Sequence, residues 1–161
     1  MNIDLTNLKN RSTKKLTIHE NVIVDKELLN QTELMDLKDV DVEGDLFLDS
    51  LDEYQLSIEI HGIMILPCAI TLQPVDYPFH IEVEGNVYDL MNEIDENAKK
   101  SENSIDIFPI IWENILMEIP LRVVAEDAKE VTMAGDGWRF VTDTETKKST
   151  NSELEKLKDL F

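Results

Sequence analysis

Apolar and polar residues alternate most regularly from Tyr54 to Leu66, where Tyr54, Leu56, Ile58, Ile60, Met64 and Leu66 share one parity and Gly62 interrupts it. Side chains two apart lie on the same face of a strand, so this run predicts a long strand with one apolar face. Ile63 and Ile65 make its far end apolar on both parities, which predicts a central, buried position for that end. Val40, Val42, Leu46 and Leu48 form a second alternating run, with Gly44 where a side chain is due. A glycine there predicts a bulge or sharp coil. Val75, Tyr77, Phe79, Ile81 and Val83 form a third run. Consecutive alternating runs with short connections predict an antiparallel meander. Pro67 ends ladder donation and suits a strand end or edge.

Ahead of the meander, Ile3 and Leu5 read as a short strand and Thr6 as the cap of a helical turn holding Leu8. Leu16–Val24 reads as a strand and residues 25–31 as a second helical turn. After the meander, Val87, Leu90, Met91 and Ile94 sit at helical spacing. The best helix is Phe108–Ile119, where Phe108, Ile111, Trp112, Ile115, Leu116 and Ile119 repeat at i, i+3, i+4, i+7, i+8 and i+11. Asp106 is placed to cap it, Pro109 fits the first turn and Pro120 ends it. Its stripe is expected to cover one face of the sheet. Leu121–Val124 reads as a returning strand. Glu126–Thr150 reads as an acidic, extended loop that orders against a partner, with an apolar island at Trp138, Phe140 and Val141. Ser152 and Glu155 make a capping box for a helix over 152–161, with Leu154, Leu157 and Phe161 on one face.

The expected fold class is therefore α+β: an antiparallel β-meander sheet, open or barrel-like, packed by one main amphipathic helix, with short terminal helices. The chain reads as one domain over 1–161, with mobile acidic segments at about 93–104 and 126–150.

Charge changes the picture most. The formal net charge is −19, from 15 Lys and Arg against 34 Asp and Glu. Such a surface repels phosphate backbones, whose affinity for proteins comes from Lys and Arg displacing counterions. It attracts basic proteins and speeds their encounter. DNA and membranes are not expected partners. The exception to the acidity is the start of the chain, where Lys9, Arg11, Lys14 and Lys15 face Asp4 alone. Those residues are the candidates for direct RNA contact, against the plainer reading that they solvate a short helix and its loop. No apolar run reaches the length of a membrane helix and the first residues lack a signal-peptide pattern, so a cytoplasmic location is expected.

Little in the chain points to catalysis. The single cysteine excludes an internal disulfide and a cysteine-rich zinc site. Strand pairing could bring His61, His80 and Cys68 together, but no two of them show ligand spacing and no carboxylate is placed to complete a set. His19 is the remaining histidine. Residues 39–45 resemble part of a calcium loop, yet the twelfth position is Ser50 rather than a bidentate Glu. Gly135-Asp136-Gly137 lacks the Lys-Ser/Thr of a phosphate loop. No catalytic residue, metal site or cofactor is expected. Trp138 and Phe140, in the acidic loop, and Leu154 and Leu157, in the tail, are the candidate partner-binding residues.

The stretch LPCAITLQPVDYPFHIE, with Pro67, Cys68, Thr71, Leu72, Tyr77, Pro78 and Phe79, resembles the signature of the YceD family, the large ribosomal RNA subunit accumulation proteins. It is most similar to the Gram-positive, YlbN-like branch of these bacterial proteins. The helix IDIFPIIWENILMEIPL, the Gly-x-Gly-Trp loop and the ending SELEKLKDLF agree with that family in the same order. Many members carry Cys-x-x-Cys at the signature turn. Here Thr71 stands in the second place, so a metal suggested for those members does not carry over. The resemblance implies a non-enzymatic ribosome biogenesis factor supporting accumulation or processing of large-subunit (23S) rRNA. Given the charge, the partner would be a basic ribosomal protein or an rRNA-processing factor. The alternatives are a metal-dependent RNA-processing enzyme and a dedicated chaperone of one basic ribosomal protein.

Overall fold

A computed structural model of the chain describes residues 1–94 and 103–128, with the backbone alone at 129–130, 134–135 and 138–139. In chain order the elements are β1 (Asn2–Asp4), α1 (Thr6–Lys9), β2 (Lys15–Asn21), α2 (Lys26–Leu29), β3 (Asp36–Leu48), β4 (Tyr54–Pro67) and β5 (Pro74–Asn86). There follow α3 (Val87–Ile94), β6 (Ser104–Asp106), α4 (Phe108–Glu118), a 3₁₀ turn over Asp127–Glu130, β7 (Ala134–Gly135) and β8 (Trp138–Arg139).

The predicted meander is present as a four-stranded antiparallel sheet in the order β2–β3–β4–β5. It is open, with β2 and β5 as its edges, so the barrel-like alternative falls. The fold class is α+β. β1 pairs with β6 in a separate two-stranded sheet. Its polarity brings Asn103 to Leu5, whose N–H donates to the Asn103 carbonyl at 2.9 Å.

The apolar parities face one core. Val40, Val42 and Leu46 from β3, Tyr54, Leu56, Ile58, Ile60, Met64 and Leu66 from β4, and Phe79 and Val83 from β5 are all buried. Ile110, Ile111 and Ile115 of α4 are buried as well, and α4 packs on α3 and β5. The doubly apolar end of β4 behaves as its sequence predicts at Ile65, which is buried, and partly at Ile63, which is half-buried.

Several local expectations change. Gly44 is not at a bulge: it pairs in register with Ile58 and with Ile18. It is required because its φ is +154° and a Cβ there would strike the Ser57 carbonyl and lie 2.6 Å from Ile58 Cα. The bulge lies earlier in β3, between Lys38 and Asp41. Thr6 is the first residue of α1 and does not cap it; Asp4 accepts both its N–H and its hydroxyl. β2 stops at Asn21, leaving Val22 and Val24 half-buried beyond it. Asp106 does hold the start of α4, accepting the Phe108 N–H at 3.1 Å. Leu121–Val124 is not a strand: Leu121 is fully exposed, and the bond from Ala69 N–H to the Val123 carbonyl at 2.8 Å is not part of a ladder. The start of the expected acidic loop is a 3₁₀ turn with Ala128 buried. Of the first segment expected to be mobile, residues 95–102 lie outside the described residues, as does the predicted helix over 152–161.

Candidate functional site

The face of the sheet turned away from the core is polar and open. It is made by the off-parity residues of the alternating runs, so its composition follows from the pattern that builds the core. Register aligns Asn21, Asp41, His61 and His80 in one row across the four strands. The next row is His19, Glu43, Glu59 and Glu82, and the one after is Thr17, Asp45, Ser57 and Glu84. Directly opposed cross-strand side chains stand about 4.5–5.5 Å apart at Cβ, close enough to interact.

All three histidines therefore sit on this one face, each beside carboxylates. His19 Nδ1 is 3.0 Å from Glu43, His61 Nε2 is 3.9 Å from Asp41, and His80 Nε2 is 3.5 Å from Glu82 and 3.9 Å from Glu59. Lys15 pairs with Asp45 at 2.9 Å and Thr17 donates to the same carboxylate. Those two hydrogen bonds hold Asp45 below the usual carboxylate range, Lys15 being the larger cause. Register brings His61 and His80 together but leaves Cys68 at the strand end, beyond Pro67. Among the described residues, no group of His, Cys, Asp or Glu is arranged to hold a metal ion.

The signature residues build a different feature, the turn between β4 and β5. Cys68 is fully buried. Its N–H donates to the Gln73 carbonyl at 2.8 Å, and the Leu72 N–H donates back to the Cys68 carbonyl at 2.9 Å. The sulfur accepts from the Thr71 hydroxyl first of all, then from the N–H groups of Ala125, Thr71 and Ile70, and these donors pull the thiol down to about 6. Thr71 thus donates to the sulfur from three positions on in the same turn. Phe79 packs in the core and Tyr77 against it, while Pro78 is exposed at the β5 edge.

The N-terminal cations are not arrayed as a groove. Arg11 is held by Asp52 at 2.9 Å, Lys15 by Asp45, and Lys9 donates to the Asn103 side chain at 3.3 Å. Lys14 is exposed nearby. Arg11 and Lys14 line an open hollow of about 450 Å³ that Asp49 and Asp52 share, so even here the charge is mixed. Of the candidate partner-binding residues, Trp138 lies on β8 in a two-stranded hairpin with β7, while Phe140, Leu154 and Leu157 lie outside the described residues.

The acidic face was missed at the sequence level as a surface. Its signal was present in the polar parity of Asp41, Glu43, Asp45, Glu59, Glu82 and Glu84. No helix among the described residues is long and apolar enough to cross a membrane.

Known proteins supply the remaining information. The family model described as Large ribosomal RNA subunit accumulation protein YceD matches residues 56–161. A protein of Bacillus subtilis (strain 168), named Uncharacterized protein YlbN, is 32% identical over 108 residues, which is 63% of each chain. The chain thus aligns with about 63% of the length of the curated relative it matches. No solved structure matches. Because the matched span runs from β4 through the Cys68 turn, β5 and α4 to the last residue, the chain belongs to the YceD family and resembles its YlbN-like members.

Proposed function

We propose that this protein supports accumulation of large-subunit ribosomal RNA as a non-enzymatic assembly factor in the cytoplasm. It binds a basic ribosomal protein or rRNA-processing partner through the open face of its sheet. The family membership supports the rRNA role. The observation that carries the mode of action is the charge of that face, where the three rows present Asp41, Glu43, Asp45, Glu59, Glu82 and Glu84, and Lys15 reaches Asp45 from outside those rows. A flat acidic surface of this kind draws a Lys- and Arg-rich segment from a distance and rejects a bare phosphate backbone.

Depleting the protein lowers mature large-subunit rRNA on this reading, and unchanged rRNA and subunit profiles overturn it. The mode of action has its own test. The triple variant Glu43→Lys, Glu59→Lys, Glu82→Lys alters exposed side chains only, so it folds, and it captures its basic partner at least about tenfold less well, a loss of about 1.4 kcal/mol. Capture by the wild type weakens as salt rises. Capture that ignores both salt and charge reversal removes the sheet face from the reading. Cleavage of precursor rRNA by the purified protein with Mg²⁺ or Mn²⁺ would instead make it an enzyme.

A further inference from the structure

The two halves of the edge strand β5 differ in what their main chain offers. In an antiparallel sheet the main-chain groups of successive residues point alternately to one neighbour and to the other. The Val22 N–H donates to the Val40 carbonyl at 2.7 Å, which fixes that alternation at the β2–β3 pair. Carried through the register to β5, it turns the main chain of the odd-numbered residues toward β4 and that of the even-numbered residues away from the sheet. The prolines agree, since Pro74 and Pro78 both fall in the outward set, where no ladder donor is lost. They also remove two outward donors and so close the first half of β5 to a further strand. The second half is open. His80, Glu82 and Glu84 direct their N–H and C=O groups outward, and among the described residues no backbone bond joins them to another segment.

The side chains of those three residues stand on the polar face of the sheet and are exposed, Glu82 at 73%. Glu43, Glu59 and Glu82 are directly opposed in one row. Like charges so opposed are unfavourable, and the row ends at this edge, so the place beside Glu82 favours a cation. The other edge differs. The outward set of β2 is Lys15, Thr17, His19 and Asn21, which holds a cation and no acid.

We infer that an extended, Lys- or Arg-bearing segment of the partner adds to the sheet as a further strand along residues 79–86 of β5. The inference rests on the reading of the sheet face as the surface that meets a basic partner, and it specifies how that partner is held. Main-chain hydrogen bonds at His80, Glu82 and Glu84 give the grip, and the acidic side chains choose the sequence. Basic residues at alternate positions of the added strand lie over the polar face beside Glu82 and Glu84. The residues between them lie on the core side, next to the half-buried Ile81, and are apolar. A second copy is disfavoured as the occupant, because two β5 edges would set Glu82 and Glu84 against their own kind.

The probe is the capped peptide Lys-Val-Lys-Val-Lys-Val-Lys, added to the full chain at low salt. Its binding slows amide hydrogen exchange at His80, Glu82 and Glu84 at least about tenfold and leaves Thr17 and His19 on β2 unchanged. Glu82→Pro adds a proline to the outward set that already holds two, and it weakens peptide binding about tenfold beyond Glu82→Gln, which removes the charge alone. If Glu82→Pro does not fold, the exchange pattern of the wild type decides alone. Failure of the peptide to bind overturns the inference, as does protection that falls on β2 instead. Binding that leaves the three β5 amides unprotected also overturns it. If the charge-reversed triple variant still loses capture in that case, the acidic face stands as the binding surface without strand addition. Peptide binding indifferent to salt and to that triple variant removes the acidic-face reading itself.

Discussion

The N–H of Ala125 points at the sulfur of Cys68 across 3.4 Å, joining positions 57 apart in the chain. Through it, the segment after α4 is fastened to the β4–β5 turn. The Thr71 hydroxyl supplies a second, local donor from within the turn. This buried sulfur is thus a junction of hydrogen bonds, and its ionisation is coupled to the fold. Its folded pKa is about 6 against an ordinary 9.0. A group depressed in this direction stabilises the fold fully above its unfolded pKa and loses that contribution as pH falls through the folded value. The gap in urea midpoint between wild type and Cys68→Ala therefore widens as pH rises from 6 toward 9. Thiolate absorbance near 240 nm is present at pH 7, and Thr71→Val shifts its titration upward. A thiol that titrates near 9 in the wild type refutes this account.

Gly44 and Gly85 share a φ of +154° but differ in what surrounds them. A Cβ on Gly44 collides with the main chain of Ser57 and Ile58, whereas one on Gly85 meets only Leu90 side-chain atoms at 3.5 Å or more. Gly85→Ala costs the backbone term alone, about 1–2 kcal/mol. Gly44→Ala adds steric displacement of a central strand, for a total of about 2–5 kcal/mol. Equal losses in denaturant unfolding show that the close approach is relieved without cost.

The strands were legible because a two-residue period reports directly which side chains are buried, and β4 shows it from Tyr54 to His61 before both parities are buried at its far end. What the period does not report is register. The Lys38–Asp41 bulge depends on how β3 meets β4; Asp39, at φ +50° within it, is of a type that tolerates that conformation but does not alone announce a bulge. The pairing of His61 with His80 required the same knowledge. Leu121 and Val123 are apolar and β-prone, yet they make loop: beyond Pro120 the chain is tied to the β4–β5 turn at separate points, Val123 to Ala69 and Ala125 to the Cys68 sulfur, rather than along a ladder. The acidic face was readable as the complement of the core. Which carboxylate would stand beside which histidine was not.

The helix pattern supports a sharp contrast within α4. Ile115 is fully buried, while Met117, two positions on, is 68% exposed. Ile115→Ala is expected to cost about 2–5 kcal/mol through lost burial and the cavity left behind. Met117→Ala is expected to stay within about 0.5 kcal/mol. Comparable costs at the two positions indicate that α4 sits on the sheet in a different rotation.

Asp49 closes the connection between β3 and β4 by accepting the N–H of Leu51 at 2.7 Å, the N–H of Glu53 at 3.0 Å and the Gln55 side-chain amide at 3.0 Å. These bonds favour the charged carboxylate, the Glu53 N–H most of all, and hold Asp49 below its ordinary 3.8. The sign follows as for any depressed acid: the stabilisation is complete above pH 3.8 and is lost as pH falls through the lower folded value. Asp49→Ala therefore lowers the thermal midpoint at neutral pH, and the difference from wild type narrows as acid protonates the carboxylate that the variant lacks. Asp49→Asn keeps an acceptor oxygen while removing the charge, so it falls between the two at pH 7. A gap between wild type and Asp49→Ala that persists unchanged well below pH 3 means that the turn is held by its backbone geometry, and that the carboxylate contributes nothing through its charge.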